Sequence, residues 1–422
     1  MLVTAVLAVV SLAATAPAGA TAPAPASATA KVGPDALLAG SAELSSVFCT
    51  SSTSCLAVGL RASQFNTLLN QIVSWNGKKW TAVSAPSPGG TKKNAFNQLF
   101  AVRCTSAENC WAVGRYSGAT SQLTQALHWT GTTWAMVPTP SPGGTNALDF
   151  SELSDVSCTS ASDCWAVGDY GNRASSGITR DLVLHWTGKK WFKVKVPDPG
   201  GTAQPGDVSS LAAVRCASPK DCWAAGTAST GGGPGAQFNM MLRWNGTKWS
   251  MFGVPSPTGL MTGAFNELNG LSCTSTKSCM AVGDYGGGSV SGSVFLNQTV
   301  RWNGKKWSLV KTPNPDGTAA GDSNVLNGVT CSATNNCWAV GNLGSTISGG
   351  AETGEILHWK GTKWSLTKSP NPGGTDGGDR TILNSVRCVT QKDCWAVGLS
   401  STGSAPLRNL TLHWNSVKWA AS

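Results

Sequence analysis

The sequence predicts an all-β fold, a seven-bladed β-propeller with four-stranded blades and one disulfide within each blade. Three observations carry that prediction. All 14 cysteines fall into Cys-x5-Cys pairs whose first members stand 54 to 58 residues apart. Each pair is followed by Trp-x-Gly-x-x-Trp, from WNGKKW at 75–80 to WKGTKW at 359–364, and the seventh copy, WNSVKW at 414–419, has lost its Gly. The other five of the 19 tryptophans (Trp111, Trp165, Trp223, Trp338 and Trp395) directly follow a second Cys, so no Cys or Trp lies outside the repeat. A period of this length marks a repeat architecture in which each unit is one supersecondary element.

Each unit reads as four short strands. The first is L-x-x-V-x-C, as in LSDVSC at 153–158, and the second is C-W-A-V-G, taken to end at its Gly. The third alternates apolar residues up to Trp, as in LVLHW at 182–186. The fourth starts at the second Trp and runs to Pro, as in KWFKVKVP at 190–197. Between the last two stands Asn-Gly or Thr-Gly, which suits a two-residue hairpin turn that sets the paired tryptophans as diagonal neighbours. Seven such sheets suit a propeller, and no helix is needed.

The ends follow from composition. An apolar run of signal-peptide length closes at Pro17 and offers Ala18-Gly19-Ala20 for cleavage, although it has no basic start. Residues 1–20 are read as a signal peptide, 21–43 as an Ala/Pro-rich linker and 44–422 as the propeller. The blades are placed at about 44–90, 91–144, 145–200, 201–257, 258–315, 316–372 and 373–422. The chain is expected to be secreted and monomeric, with no membrane span after signal removal. All seven units are in phase, so no strand is lent from one terminus to the other, and ring closure rests on packing between units, aided by KVGPDALLAG at 31–40.

The pattern resembles the kelch and galactose-oxidase type of blade, in which a strand ending in Gly is followed by a strand, a turn and a Trp. It more closely resembles uncharacterised secreted repeat proteins of actinobacteria, whose units read C-W-A-V-G followed by H-W-N-G-T-x-W. The resemblance covers residues 44–419 and speaks to architecture, with little to say on activity. The double glycine of kelch blades is missing, and the galactose-oxidase copper site has no counterpart in the sequence.

The cysteines admit a structural and a chemical reading. Zinc knuckles place two thiolates two residues apart, whereas a gap of five sets them across a hairpin mouth. Export favours oxidation. The pairs are therefore read as disulfides: Cys49–Cys55, Cys104–Cys110, Cys158–Cys164, Cys216–Cys222, Cys273–Cys279, Cys331–Cys337 and Cys388–Cys394. No metal and no cofactor is expected. The four histidines share one repeat position before the third-strand Trp, on separate blades and away from the axis, which does not suit a shared ion.

The formal charge of +10 is unevenly placed. The first-to-second and third-to-fourth turns of a blade emerge on one face, which collects thirteen lysines against four acids. Lys79, Lys190, Lys248, Lys306, Lys363 and Lys418 are the candidates there for holding an anionic polymer, although lysines in turns also serve solubility and protect strand edges. The opposite, loop-rich face carries Arg115-Tyr116, Asp169-Tyr170 and Asp284-Tyr285 just past the strand-ending Gly, either as glycan or peptide contacts or as strand caps. The expected function is a secreted, non-catalytic binding or scaffolding propeller recognising an extracellular glycan, a cell-envelope polymer or a protein, and not intracellular nucleic acid. The alternative is an extracellular carbohydrate-active hydrolase or lyase, with Asp149, Asp207, Asp322 and Asp379 as a source of carboxylates.

Overall fold

A computed structural model describes residues 40–422 except 64–66, 173–176, 202–203, 232–235, 262, 288–293 and 345–348. The expected signal peptide, and all but the last residue of KVGPDALLAG, lie outside the described residues. Among the described residues there are 28 strands and no helix. Each Cys-x5-Cys unit folds as a four-strand antiparallel meander. In the first, β1 (Ala42–Ser51), β2 (Ser54–Ser63), β3 (Thr67–Trp75) and β4 (Trp80–Val83) pair in order. The second, third and fourth units are also joined edge to edge, by single parallel bridges between Gln122 and Phe150 and between Thr179 and Val208.

The first strands of the units form the inner wall. They are β1, β5 (Asn97–Ser106), β9 (Asp149–Ser160), β13 (Val208–Ser218), β17 (Phe265–Ser275), β21 (Asn324–Ala333) and β25 (Arg380–Thr390). Each contacts the next, and β25 contacts β1, so the circuit closes without strand exchange. At the join, the Ala42 amide donates to the Leu407 carbonyl at 2.9 Å and the Leu407 amide to Ser41 Oγ at 3.1 Å.

The seven expected disulfides are all present and no described cysteine is free. In every unit the two cysteines are direct cross-strand partners, with Cα atoms 3.9–4.0 Å apart. They tie the first strand to the second and join no two units.

Tryptophan makes the joints between units. Trp165 packs on Trp244 and Trp249 of the following unit at centroid distances of 4.8 and 5.2 Å, and Trp223 packs on Trp302 and Trp307 in the same way. Trp395 of the seventh unit meets Trp75 and Trp80 of the first at 4.8 and 5.2 Å, so the closing joint is built like those that follow the third and fourth units. The histidine position is explained by the same ring. His128, His185, His358 and His413 stack on the Trp after the second Cys at 3.9–4.5 Å, and Arg243 lies over Trp223 instead.

Three local expectations need correction. First, the C-W-A-V-G glycine does not end its strand: β10 (Asp163–Asn172) runs four residues beyond Gly168. Opposite each such Gly the inner strand carries a β-bulge, with Ser154 left unpaired between Leu153 and Asp155. The bulge pushes a carbonyl inward, and a Cβ on Gly168 would stand 2.1 Å from the Glu152 oxygen. Glycine is needed there for room. Second, Trp75 and Trp80 are direct cross-strand partners across a four-residue loop, in which Asn76 Oδ1 accepts from the Lys78 and Lys79 amides and Gly77 takes φ 88°. Third, the outer strands are shorter than expected: β12 covers only Trp191–Lys193.

Candidate functional site

The two turn families do lie on one face. A Cβ on Gly77 would meet Thr53 at 2.9 Å, and one on Gly246 would meet Lys220 at 3.1 Å. The Trp turn is therefore seated on the Cys turn of its own unit. The indoles of Trp75, Trp129, Trp186, Trp244 and Trp302 donate to carbonyls in those Cys turns at 3.0–3.1 Å. Lys79, Lys190, Lys248, Lys306, Lys363 and Lys418 are all exposed on this face. Three of its four acids are already engaged: Asp163 with His185 at 2.7 Å, Asp221 with Arg243 at 2.9 Å and Asp393 with His413 at 2.7 Å. Among the described residues no ion pair involves a lysine of this face.

On the opposite side the candidate pairs sit inside strands and not at loop starts. Asp169 and Asp284 are buried. Asp169 accepts from Ser210 Oγ at 3.1 Å, and Asp284 accepts from the Asn269 amide at 3.1 Å. Burial, then the neighbouring Glu267, holds the Asp284 carboxyl well above the usual carboxylate range. Tyr170 is half-buried, with Lys193 Nζ donating to its hydroxyl at 2.8 Å and lying 4.0 Å from the ring centroid. Arg115 pairs with Glu152 at 2.8 Å and lies over Phe96, while Tyr116 and Tyr285 are half-buried in their strands. The structure does not bring these six residues together into one cluster, because they belong to three units.

The four acids considered for catalysis hold loops. Asp149 accepts from the Asn146 amide at 2.9 Å, Asp207 from Gln204 at 2.8 Å, Asp322 from Ala319 at 2.7 Å and Asp379 from Asp376 at 3.0 Å. Each faces a glycine of positive φ at the head of its loop, at Gly144, Gly201, Gly317 and Gly374.

The sequence reading missed the central channel, a cavity of about 160 Å³ lined by all seven inner strands. Its wall near the loop-rich side includes Glu43, whose carboxyl burial pushes up to about 7, with Gln98 Nε2 donating to it at 3.1 Å. At the other end, one residue before the first Cys, Arg103 and Arg215 line the wall, and Arg387 holds the same position in the seventh unit, next to the lining residue Val386. Asp155 lies between the first two, 3.9 Å from Arg103 and hydrogen-bonded by Arg215. Arg387 and Arg103 flank the Phe48 ring at 4.4 and 5.5 Å. Burial, then repulsion from Arg103, lowers Arg387 to about 10, and its Nε has no hydrogen-bond partner among the described residues. The available signal was V-R-C in three of the seven units, at 102–104, 214–216 and 386–388.

A closed ring of four-stranded meanders around an axial channel, with aromatic joints between units, defines a β-propeller. No protein-family model matches the chain, and no curated protein matches it. Among solved structures, a puromycin hydrolase aligns with 90% of this chain at 11% identity and a TM-score of 0.54, and the match spans 53% of the hydrolase. An ulvan lyase, described as a new family of polysaccharide lyase, aligns with 92% of this chain and 97% of its own at 10% identity and a TM-score of 0.53. The Aleuria aurantia lectin, described as a six-bladed β-propeller, aligns with 80% of this chain and 99% of its own at 12% identity and a TM-score of 0.44. Likeness at these identities extends to the fold alone.

Proposed function

We propose that the chain is a secreted, non-catalytic, seven-bladed β-propeller that captures an anionic extracellular glycan or cell-envelope polymer on the face formed by its Cys and Trp turns. One observation carries the reading: six repeat-related lysines project from that face while three of its four acids are paired with His or Arg. A ring of lysines that outnumbers the acids of its face attracts a polyanion, and exposed charges make that attraction salt-dependent. The seven disulfides fit an oxidising compartment. The kinship with kelch-type and actinobacterial repeats rests on the repeat residues themselves. The enzymatic alternative is weakened because its four candidate carboxylates already accept backbone amides in loops.

The test is a binding screen of the full chain against uronic-acid polysaccharides, sulfated polysaccharides and teichoic acid, with neutral glycans as controls. Saturable binding to the charged set that weakens steeply with added salt supports the reading. Binding to neutral glycans alone, or turnover of any polysaccharide, contradicts it.

A further inference from the structure

The lysine face and the axial channel meet where Arg103 and Arg215 line the wall. Arg387 stands one residue beyond the lining Val386 and beside Arg103 across the Phe48 ring. Each arginine is next to the first Cys of its unit and so at the edge of the Cys turns. Three guanidiniums and one carboxylate, that of Asp155, leave two positive charges at this mouth. Asp155 is further committed to the Val214 amide at 2.9 Å. Arg387 has no carboxylate partner among the described ion pairs and is held by the face of Phe48. The same inner-strand position carries Phe48, Ser157, Ser272 and Thr330 in the other units, which bring no opposing charge. A guanidinium stacked on an aromatic face, with a buried Nε–H left over, is set to receive a planar or tetrahedral oxyanion. The channel, at about 160 Å³, is smaller than the roughly 300 Å³ at which pockets for drug-sized ligands begin. It takes one group and not a polymer backbone.

We propose that Arg103, Arg215 and Arg387 form an oxyanion site at the mouth of the central channel, which receives a single carboxylate, sulfate or phosphate group carried by the polymer. The site deepens the polyanion reading and rests on it for the identity of its natural ligand. The lysines then supply long-range attraction, and the arginines fix one charged group in register with the ring axis.

The test is calorimetric titration of the full chain with sodium sulfate, sodium phosphate and sodium acetate, against sodium chloride at equal ionic strength. One saturable site is expected for at least one oxyanion. Arg387→Gln is expected to weaken it about tenfold, the scale of one lost charge-assisted hydrogen bond. Arg387→Lys should fall between the two. Asp155→Asn keeps an acceptor for the Val214 amide, removes the opposing charge and is expected to tighten binding, a direction that misfolding does not mimic. Near-ultraviolet tryptophan spectra check that each variant is folded. No saturable oxyanion binding in the unsubstituted chain, or equal binding by Arg387→Gln, overturns the proposal. Oxyanion binding without polymer binding would leave the site standing and remove the polymer reading, whereas polymer binding without oxyanion binding would remove the site alone.

Discussion

The side-chain amide of Asn384 donates to the carbonyl of Leu44 at 3.0 Å, across 340 residues of sequence. Asn384 is the unpaired bulge residue of the seventh unit. Its counterparts do the same one unit earlier: Asn327 donates to Leu383 at 3.0 Å and Asn269 to Leu326 at 3.2 Å. The ring thus closes with a bond already used between consecutive units. Asn384→Ala and Asn327→Ala are each expected to cost about 1 kcal/mol in denaturant unfolding. A closing bond that matters far more or far less than its counterpart would show that the last joint is built differently.

Tryptophan packing makes a larger demand at the same joint. Trp395 is 1% exposed and touches both Trp75 and Trp80. Trp395→Ala is expected to cost about 3–5 kcal/mol, the usual range for emptying a buried aromatic site. A calorimetric scan that barely moves would mean that the first and seventh units do not meet.

The bulge has its own prediction. A Cβ on Gly283 would stand 2.0 Å from the Glu267 carbonyl oxygen, so Gly283→Ala must displace backbone. The expected loss is about 3 kcal/mol, at the upper end of ordinary overpacking. The same change at Gly90, where φ is 88° and no atom lies within 4 Å, tests backbone strain without a clash and should cost less.

Through Glu43, stability should fall as pH rises between about 4.5 and 7. Burial raises Glu43 from 4.5 to about 7, and it likewise raises Asp155 from 3.8 to about 6. Below pH 4.5 Glu43 is protonated in both folded and unfolded chains and contributes nothing. Between 4.5 and 7 the unfolded carboxyl ionises while the folded one keeps its proton, so stability is lost as pH rises, by on the order of 3 kcal/mol in full. His358, lowered to about 4 by burial, then by Lys360, acts in the opposite direction below pH 6.5. Thermal midpoints of the native chain and Glu43→Gln across this range isolate the contribution of that carboxyl. The substitution should flatten the slope and raise stability near pH 8, and an unchanged slope would deny Glu43 its buried proton.

The parts of the fold that were legible in the sequence are those tied to a repeated residue. Cys49–Cys55 and its counterparts, the Trp joints and the single position shared by the four histidines all repeat, so their partners could be inferred. The bulge was not legible, because its residue varies through Ser45, Phe100, Ser154, Ala212 and Asn269, and a bulge demands geometry without demanding a side chain. Missing it placed Asp169 and Asp284 at loop starts when they are buried within strands. The arginines were overlooked for a related reason. Arg103, Arg215 and Arg387 occupy a position that other units fill with Phe48, Ser157, Ser272 or Thr330, and reading for regularity discards such a position. A ring of near-identical units can be specialised only where the units differ.

Lysine-reactivity footprinting of the full chain, with and without a bound acidic polysaccharide, tests the central claim most directly. Lys79, Lys190, Lys248, Lys306, Lys363 and Lys418 should lose acylation when the polymer is present. Lys92 and Lys93, exposed in the connection between the first two units, should keep it. Protection of Lys92 and Lys93 with the turn lysines left reactive would contradict the account.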